Sequence, residues 1–180
     1  MLTILSLCDH TGNWSKPYRE RGYDVVQVDM KAGHDVRLFE ALPYPVRGIL
    51  AAPPCTHLAS SGARWWAGKG PDALIESMAV VDACMRIILL HRPQWWALEN
   101  PIGRLRTYLG EPRLMFDPAD YGDPYTKRTC IWGDFTAPLM AKVEATEGSK
   151  MWKLPPSPVR ADLRSATPMG FAYAFADANP

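Results

Sequence analysis

Two reactive side chains stand at the ends of short apolar runs. Gly48-Ile49-Leu50-Ala51-Ala52 stops at Pro53-Pro54 and delivers Cys55, and Trp95-Trp96-Ala97-Leu98 delivers Glu99, followed by Asn100-Pro101. Apolar runs of this length that end in turn residues read as buried strands. In an open α/β sheet, ligands bind outside the carboxyl ends of the strands. The pattern therefore predicts a thiol and a carboxylic acid on one rim of one sheet. That pairing suits covalent attack by sulfur combined with proton donation by a carboxyl group. Pro-Pro-Cys by itself also describes an ordinary turn with a buried thiol; the ordered pair of segments, with a helix between them, is more specific.

The elements that must position these residues follow from the rest of the chain. Ile4 to Leu7 reads as a first strand, and Cys8 to Trp14 as a polar turn carrying Asp9, His10, Gly12 and Asn13. A helix over 15–21 is closed by Gly22 as a C-cap. Tyr23 to Val28, rich in β-branched valine, reads as a second strand ending in Asp29. Strand, turn, helix and a strand ending in an acid is the opening unit of nucleotide-binding Rossmann-like folds, where the acid bonds the ribose hydroxyls. Capping the next turn is the other role open to Asp29. Residues 56–70 read as a loop. Pro71-Asp72 opens a long helix with Leu74, Ile75, Met78, Val81, Met85, Ile88 and Leu89 on its apolar face, stopped by Arg92-Pro93. A short helix over 102–109, strands at Leu114–Phe116 and Cys130–Trp132, an irregular stretch over 137–160 and a last helix with Thr167 as N-cap complete the reading. The alternation predicts an α/β, Rossmann-like, doubly wound and mostly parallel sheet with helices on both faces.

Composition sets bounds. The 180 residues, 47% of them hydrophobic, suit one domain with its own core, and no linker divides the chain. A formal net charge of +1 carries no global basic signature, so any nucleic-acid contact must come from a local patch. No apolar run reaches the ~18 residues that span a bilayer, and the N-terminal Met1-Leu2-Thr3-Ile4 reads as a core strand instead of a signal peptide. Cys8, Cys55, Cys84 and Cys130 are widely spaced, which argues against a zinc cluster or a disulfide framework and fits a reducing cytoplasm.

Pro53-Pro54-Cys55 after one strand and Glu99-Asn100-Pro101 after the next resemble the two central motifs of DNA (cytosine-5) methyltransferases. The resemblance follows the family's order from residue 4 to about residue 133. It implies S-adenosylmethionine as cofactor, with a modified relative of it left open. The family's cofactor loop, Asp-Leu-Phe-x-Gly-x-Gly-Gly, is matched by Leu7 and Gly12 alone within Ser6-Leu7-Cys8-Asp9-His10-Thr11-Gly12-Asn13. By position, Leu7, Asp9, Gly12 and Pro53 would line the cofactor, Asp29 would hold the ribose hydroxyls and Asp35 the adenine amino group. The family's arginine strand corresponds to Gly122-Asp123-Pro124-Tyr125-Thr126-Lys127-Arg128-Thr129, where Lys127 or Arg128 takes the arginine's place according to the alignment, Arg128 being the better fit for contacting base or phosphate. Residues 134–164, rich in proline, stand where family members carry a target-recognition domain and are too few for a second core.

The resemblance implies that Cys55 attacks C6 of cytosine, that protonated Glu99 supports N3, and that the activated C5 takes a methyl group. A cytosine within a duplex must be flipped out to be reached. Arg64, Trp65, Trp66 and Lys69 are two cations and two indoles suited to phosphate contacts and to filling the gap left by the flipped base, although the indoles also suit packing on the helix that follows. DNA is the partner implied, with a homodimer as one way to enlarge the recognition surface, and a compact enzyme of this kind suits a phage or prophage. Two alternatives stay open: modification of free pyrimidine nucleotides such as dCMP, and a non-catalytic nucleic-acid-binding module on the same fold.

Overall fold

The computed structural model describes residues 2–180. β1 (Thr3–Leu7), β2 (Asp24–Val28), β3 (Gly48–Ala51), β4 (Trp95–Pro101), β5 (Leu114–Phe116) and β6 (Thr129–Asp134) form a six-stranded sheet in the order β2-β1-β3-β4-β6-β5. β1 runs parallel to β2 and β3, and β3 parallel to β4; β6 is antiparallel to both neighbours. Reversal at β6 brings its first residue, Thr129, opposite Pro101 at the end of β4. The residues just before β6 therefore reach the same rim as the carboxyl ends of β1 to β4.

The helices are α1 (Lys16–Glu20), α2 (Trp66–His91), α3 (Leu105–Leu109), α4 (Lys150–Lys153), α5 (Arg160–Ser165) and α6 (Met169–Ala178). Both faces of the sheet are covered, as the alternation predicts. Leu5, Leu7, Ile49, Ala51 and Leu98 pack with Val81, Cys84, Ile87 and Ile88 of α2 and Leu105 of α3. On the other face Ile4, Leu50, Ala97 and Ile131 pack with Tyr18 of α1 and Phe171 and Phe175 of α6. There the aromatic rings interlock: Phe116 stacks on Phe171 at 4.0 Å between centroids, and Tyr18 on Trp95 at 5.5 Å. Alternation along strands buried on both faces explains why these runs are continuously apolar.

Several expectations shift. The helix expected from Pro71 begins at Trp66 and is interrupted at Gly70, whose φ of 70° and ψ of −176° are not helical. Its buried stripe is rotated: Ser77, Ala83 and Cys84 are covered, while Ile75 and Leu89 are exposed. α4 forms within the stretch expected to be irregular, and α5 starts at its last residue. Pro168, not Thr167, is the N-cap of α6. Between Gly33 and Arg47 the chain makes turns and no strand. Among the described residues, no helix is long and apolar enough to cross a membrane.

Candidate active site

β3 and β4 are adjacent and in register, Ala51 opposite Leu98, so the segments leaving them rise side by side. Asn100 ties them together: its side-chain N–H donates to the Pro53 carbonyl at 2.8 Å. A second clasp follows. Ala59 bridges to Gly103, Ser60 donates its backbone N–H to the Ile102 carbonyl at 2.8 Å, and Arg104 donates to Leu58 at 2.9 Å. A Cβ on Gly103 would lie 1.9 Å from the Leu58 oxygen, so this close approach requires glycine. The chain after Cys55 is thus fixed to the chain after Glu99.

Glu99 is 8% exposed, and no hydrogen bond or ion pair reaches its carboxyl group among the described residues. Burial holds that carboxyl above the ordinary carboxylate range; Lys127 opposes the shift and Asp9 adds to it. Burial likewise pushes the half-buried Cys55 thiol up, and the neighbouring Glu99 pushes it further. Lys127, the backbone amide of Cys55 and Arg164 pull it back. A thiol, a carboxyl group with its proton affinity raised and a cation therefore share one electrostatic neighbourhood. Asn100 is fully buried, and its side-chain oxygen has no partner among the described residues. An orphaned buried acceptor costs about 1–3 kcal/mol, which a ligand donor would offset.

The two candidate cations before β6 face different ways. Lys127 is half-buried and acts on both Cys55 and Glu99, with its Nζ donating to the Ala166 carbonyl at 3.0 Å. Arg128 is exposed and pairs with Asp117 at 3.0 Å. Asp117 also accepts the Lys127 backbone N–H at 3.0 Å, so it braces the turn that aims Lys127 inward.

On the other half of the rim, the acids have divided tasks. Asp9 is buried and accepts from Ser6 Oγ at 3.0 Å and from the Ser15 amide and hydroxyl at 3.3 and 3.2 Å. It holds the turn between β1 and α1 together from inside. Asp35 is gripped by Arg37 through both carboxylate oxygens at 2.7 and 3.0 Å. Asp29 caps the turn after β2, accepting the Lys31 N–H at 2.8 Å on Oδ1, with His10 at 3.8 Å from the same oxygen. Its Oδ2 is not used by these contacts. Leu7 packs its side chain into the core. Gly12 has φ 67°, and a Cβ there would meet the Arg19 guanidinium at 2.9 Å, so the turn and its packing against Arg19 favour glycine. Cys8, with φ 58°, is one of two non-glycine residues in the left-handed region among those described. Such strain is concentrated at functional sites.

The 56–70 segment splits its indoles. Trp65 is 57% exposed with the Arg64 guanidinium 5.0 Å above its ring. Trp66 lies under Arg104 at 3.9 Å and packs against the chain, the plainer of the two roles open to it. Lys69 Nζ meets His57 Nδ1 at 3.1 Å.

Sequence reasoning missed Asn100 as the link between motifs, Asp117 as the brace, and α5. The last element crosses the rim: Asp162 pairs with Lys31 and lies 4.0 Å from His10, Ala166 accepts from Lys127, and Thr167 accepts from Asn13 at 3.4 Å. No local signal marks this segment. Among the described residues, no cluster of three or more His, Cys, Asp or Glu side chains is placed to hold a metal.

No family model matches the chain, and no curated protein matches it. Among solved structures, it is similar to an E. coli protein described as a candidate DNA modification methyltransferase encoded within a prophage. The two share 18% identity and superpose with a TM-score of 0.49, over 87% of this chain and 49% of the other. This chain thus spans about half the length of that protein.

Proposed function

We propose that this chain transfers a methyl group from S-adenosylmethionine to C5 of cytosine in DNA, through a covalent bond between Cys55 and C6. The observation that carries the reading is the convergence of Cys55 with a buried, proton-favouring Glu99 on adjacent strand ends. The motifs Pro53-Pro54-Cys55 and Glu99-Asn100-Pro101 supply it in the order the family uses.

The cofactor pocket fits in part. The second carboxylate oxygen of Asp29, which the Lys31 contact does not use, suits a ribose hydroxyl. Asp9 and Asp35 are occupied by other partners. When bound there, S-adenosylmethionine supplies an electrophilic methyl group.

The chain's own residues do the rest. The Cys55 thiol gives up its proton to solvent water and its sulfur bonds to C6, so the electron pair of the C5–C6 double bond moves onto the ring and C5. Glu99 donates its proton toward N3 and offsets the negative charge that develops on the ring. Burial raises its affinity for a proton, which suits it to the donor's role. Lys127 stabilises the sulfur as its proton leaves, because its charge opposes the burial that holds the thiol neutral. After C5 has taken the methyl group, loss of its proton and elimination of Cys55 restore the aromatic base. Arg64, Trp65 and Lys69 form the exposed side of the approach, where cations meet phosphate and an indole fills a vacated stack.

Nucleoside mass spectrometry of DNA from cells expressing the chain tests the reading. It predicts 5-methylcytosine with the native chain and none with Cys55→Ala; equal levels from both would overturn it.

A further inference from the structure

α5 is tied to the β1–β2 half of the rim without burying anything of its own. None of its residues, Arg160–Ser165, is buried. The run that leads into it, residues 155–159, is exposed throughout. α6, which follows, differs, because Phe171, Ala172, Phe175 and Ala176 are buried. Polar contacts tie the 160–167 segment down. Asp162 pairs with Lys31 through Oδ1, and its Oδ2 lies 4.0 Å from His10 Nε2. The Ala166 carbonyl accepts from Lys127 at 3.0 Å, and the Thr167 carbonyl from Asn13 at 3.4 Å. A segment with few buried apolar contacts opens at low free-energy cost, and exposed ion pairs add little to hold it.

The partners of Asp162 are also the neighbours of Asp29. The His10 ring stands between the two carboxylates, with Nδ1 3.8 Å from Asp29 Oδ1 and Nε2 on the Asp162 side. Lys31 likewise serves both, its backbone N–H on Asp29 and its ammonium on Asp162. Asp29 follows the end of β2 at the ligand-facing rim, yet it is only 8% exposed. We propose that Asp162, Lys31 and His10 form a latch: α5 is a cover that swings away about Thr167 and Pro168 to admit a ligand to the Asp29 carboxylate, then fastens again behind it. Thr167 is buried at the start of α6, which gives the moving segment a fixed end. The latch closes over the empty and the loaded site alike, so it sets how fast a ligand enters and leaves more than how tightly it binds. The inference rests on the proposed function for the identity of that ligand, S-adenosylmethionine; the latch itself rests on the contacts above.

Carboxyl footprinting, in which a water-soluble carbodiimide couples accessible carboxylates to an added amine, reads the cover without any ligand. Asp162→Asn keeps the size of the side chain and removes its charge. It is expected to raise labelling of Asp29 roughly two- to fivefold, the change in population that an exposed ion pair supports. Labelling of Asp9, which Ser6 and Ser15 hold from inside, should stay as it is. Lys31→Gln breaks the same pair from the other side and should match Asp162→Asn, and the double variant should add nothing further. The second arm follows S-adenosylmethionine by surface plasmon resonance. Association and dissociation rates should rise together in Asp162→Asn, with little change in the dissociation constant. Asp29 labelling that is the same in the native chain and both single variants would overturn the inference. So would faster dissociation with unchanged association, which would make Asp162 a contact of the ligand. Asp29 labelling that depends on Asp162 in a chain that binds no S-adenosylmethionine would instead remove the proposed function and leave the latch standing.

Discussion

The two halves of the rim differ in how they treat their polar residues. On the β3–β4 half, Glu99 is buried with no ion pair or hydrogen bond to its carboxyl group, and Asn100 keeps an unpartnered oxygen, among the described residues. On the β1–β2 half, Asp9 is consumed by Ser6 and Ser15, Asp35 by Arg37, and Asp29 partly by Lys31. Unsatisfied buried polar groups cost stability and persist where function repays them. The first half leaves buried polar atoms without partners among the described residues, and the second mostly holds itself together.

The largest effect expected is on the first half. Cys55→Ser should abolish methyl transfer while leaving the circular dichroism spectrum and Tm unchanged, since the half-buried thiol makes no structural bond. Substantial activity in that variant would place the nucleophile elsewhere. A smaller effect should divide the acids of the second half. Asp29→Ala should weaken cofactor binding by about 1.5–3 kcal/mol, the worth of a charged hydrogen bond. Asp35→Ala should change that affinity little, because Arg37 already holds its carboxylate. Calorimetry on both variants checks the contrast, and equal losses would erase it. Asp9→Ala should act on stability, costing about 2–3 kcal/mol by orphaning Ser6 and Ser15, as read by denaturant unfolding.

The smallest effect is a shift in thiol reactivity. Ionised Glu99 raises the Cys55 pKa, so Glu99→Gln should move the onset of alkylation by iodoacetamide to lower pH. Lys127 opposes that rise, so Lys127→Ala should move the onset to higher pH. Arg128→Ala should leave it in place, because Arg128 is exposed and paired with Asp117. A shift from Arg128 and none from Lys127 would reverse the assignment of the two cations.

Much of the fold was legible because its signals are local. Val25, Val26 and Val28, Ile49 and Leu50, and the Trp95–Leu98 run are β-rich apolar stretches with turn residues at their ends, and each became a strand. The face of α2 was legible only roughly: periodicity favours large apolar residues, whereas the sheet selected Cys84, Ala83 and Ser77. The pairing of Cys55 with Glu99 needed only the strand order. The role of Asp9 and the placement of the 160–167 segment needed tertiary partners. Asp9 meets Ser15 across a turn, and the segment is tied to Lys31 through Asp162 and to Lys127 through Ala166, which no spacing in the sequence encodes.

The central claim is a bond between the Cys55 sulfur and C6 of cytosine. Intact-mass spectrometry of the chain incubated with S-adenosylmethionine and an oligonucleotide carrying 5-fluorocytosine tests it directly, because fluorine at C5 blocks the proton loss that releases the enzyme. The account predicts a stable adduct equal in mass to chain plus oligonucleotide plus one methyl group, mapped by digestion to Cys55 and missing in Cys55→Ala. Methylation of ordinary cytosine without any such adduct, or an adduct that survives in Cys55→Ala, would contradict it.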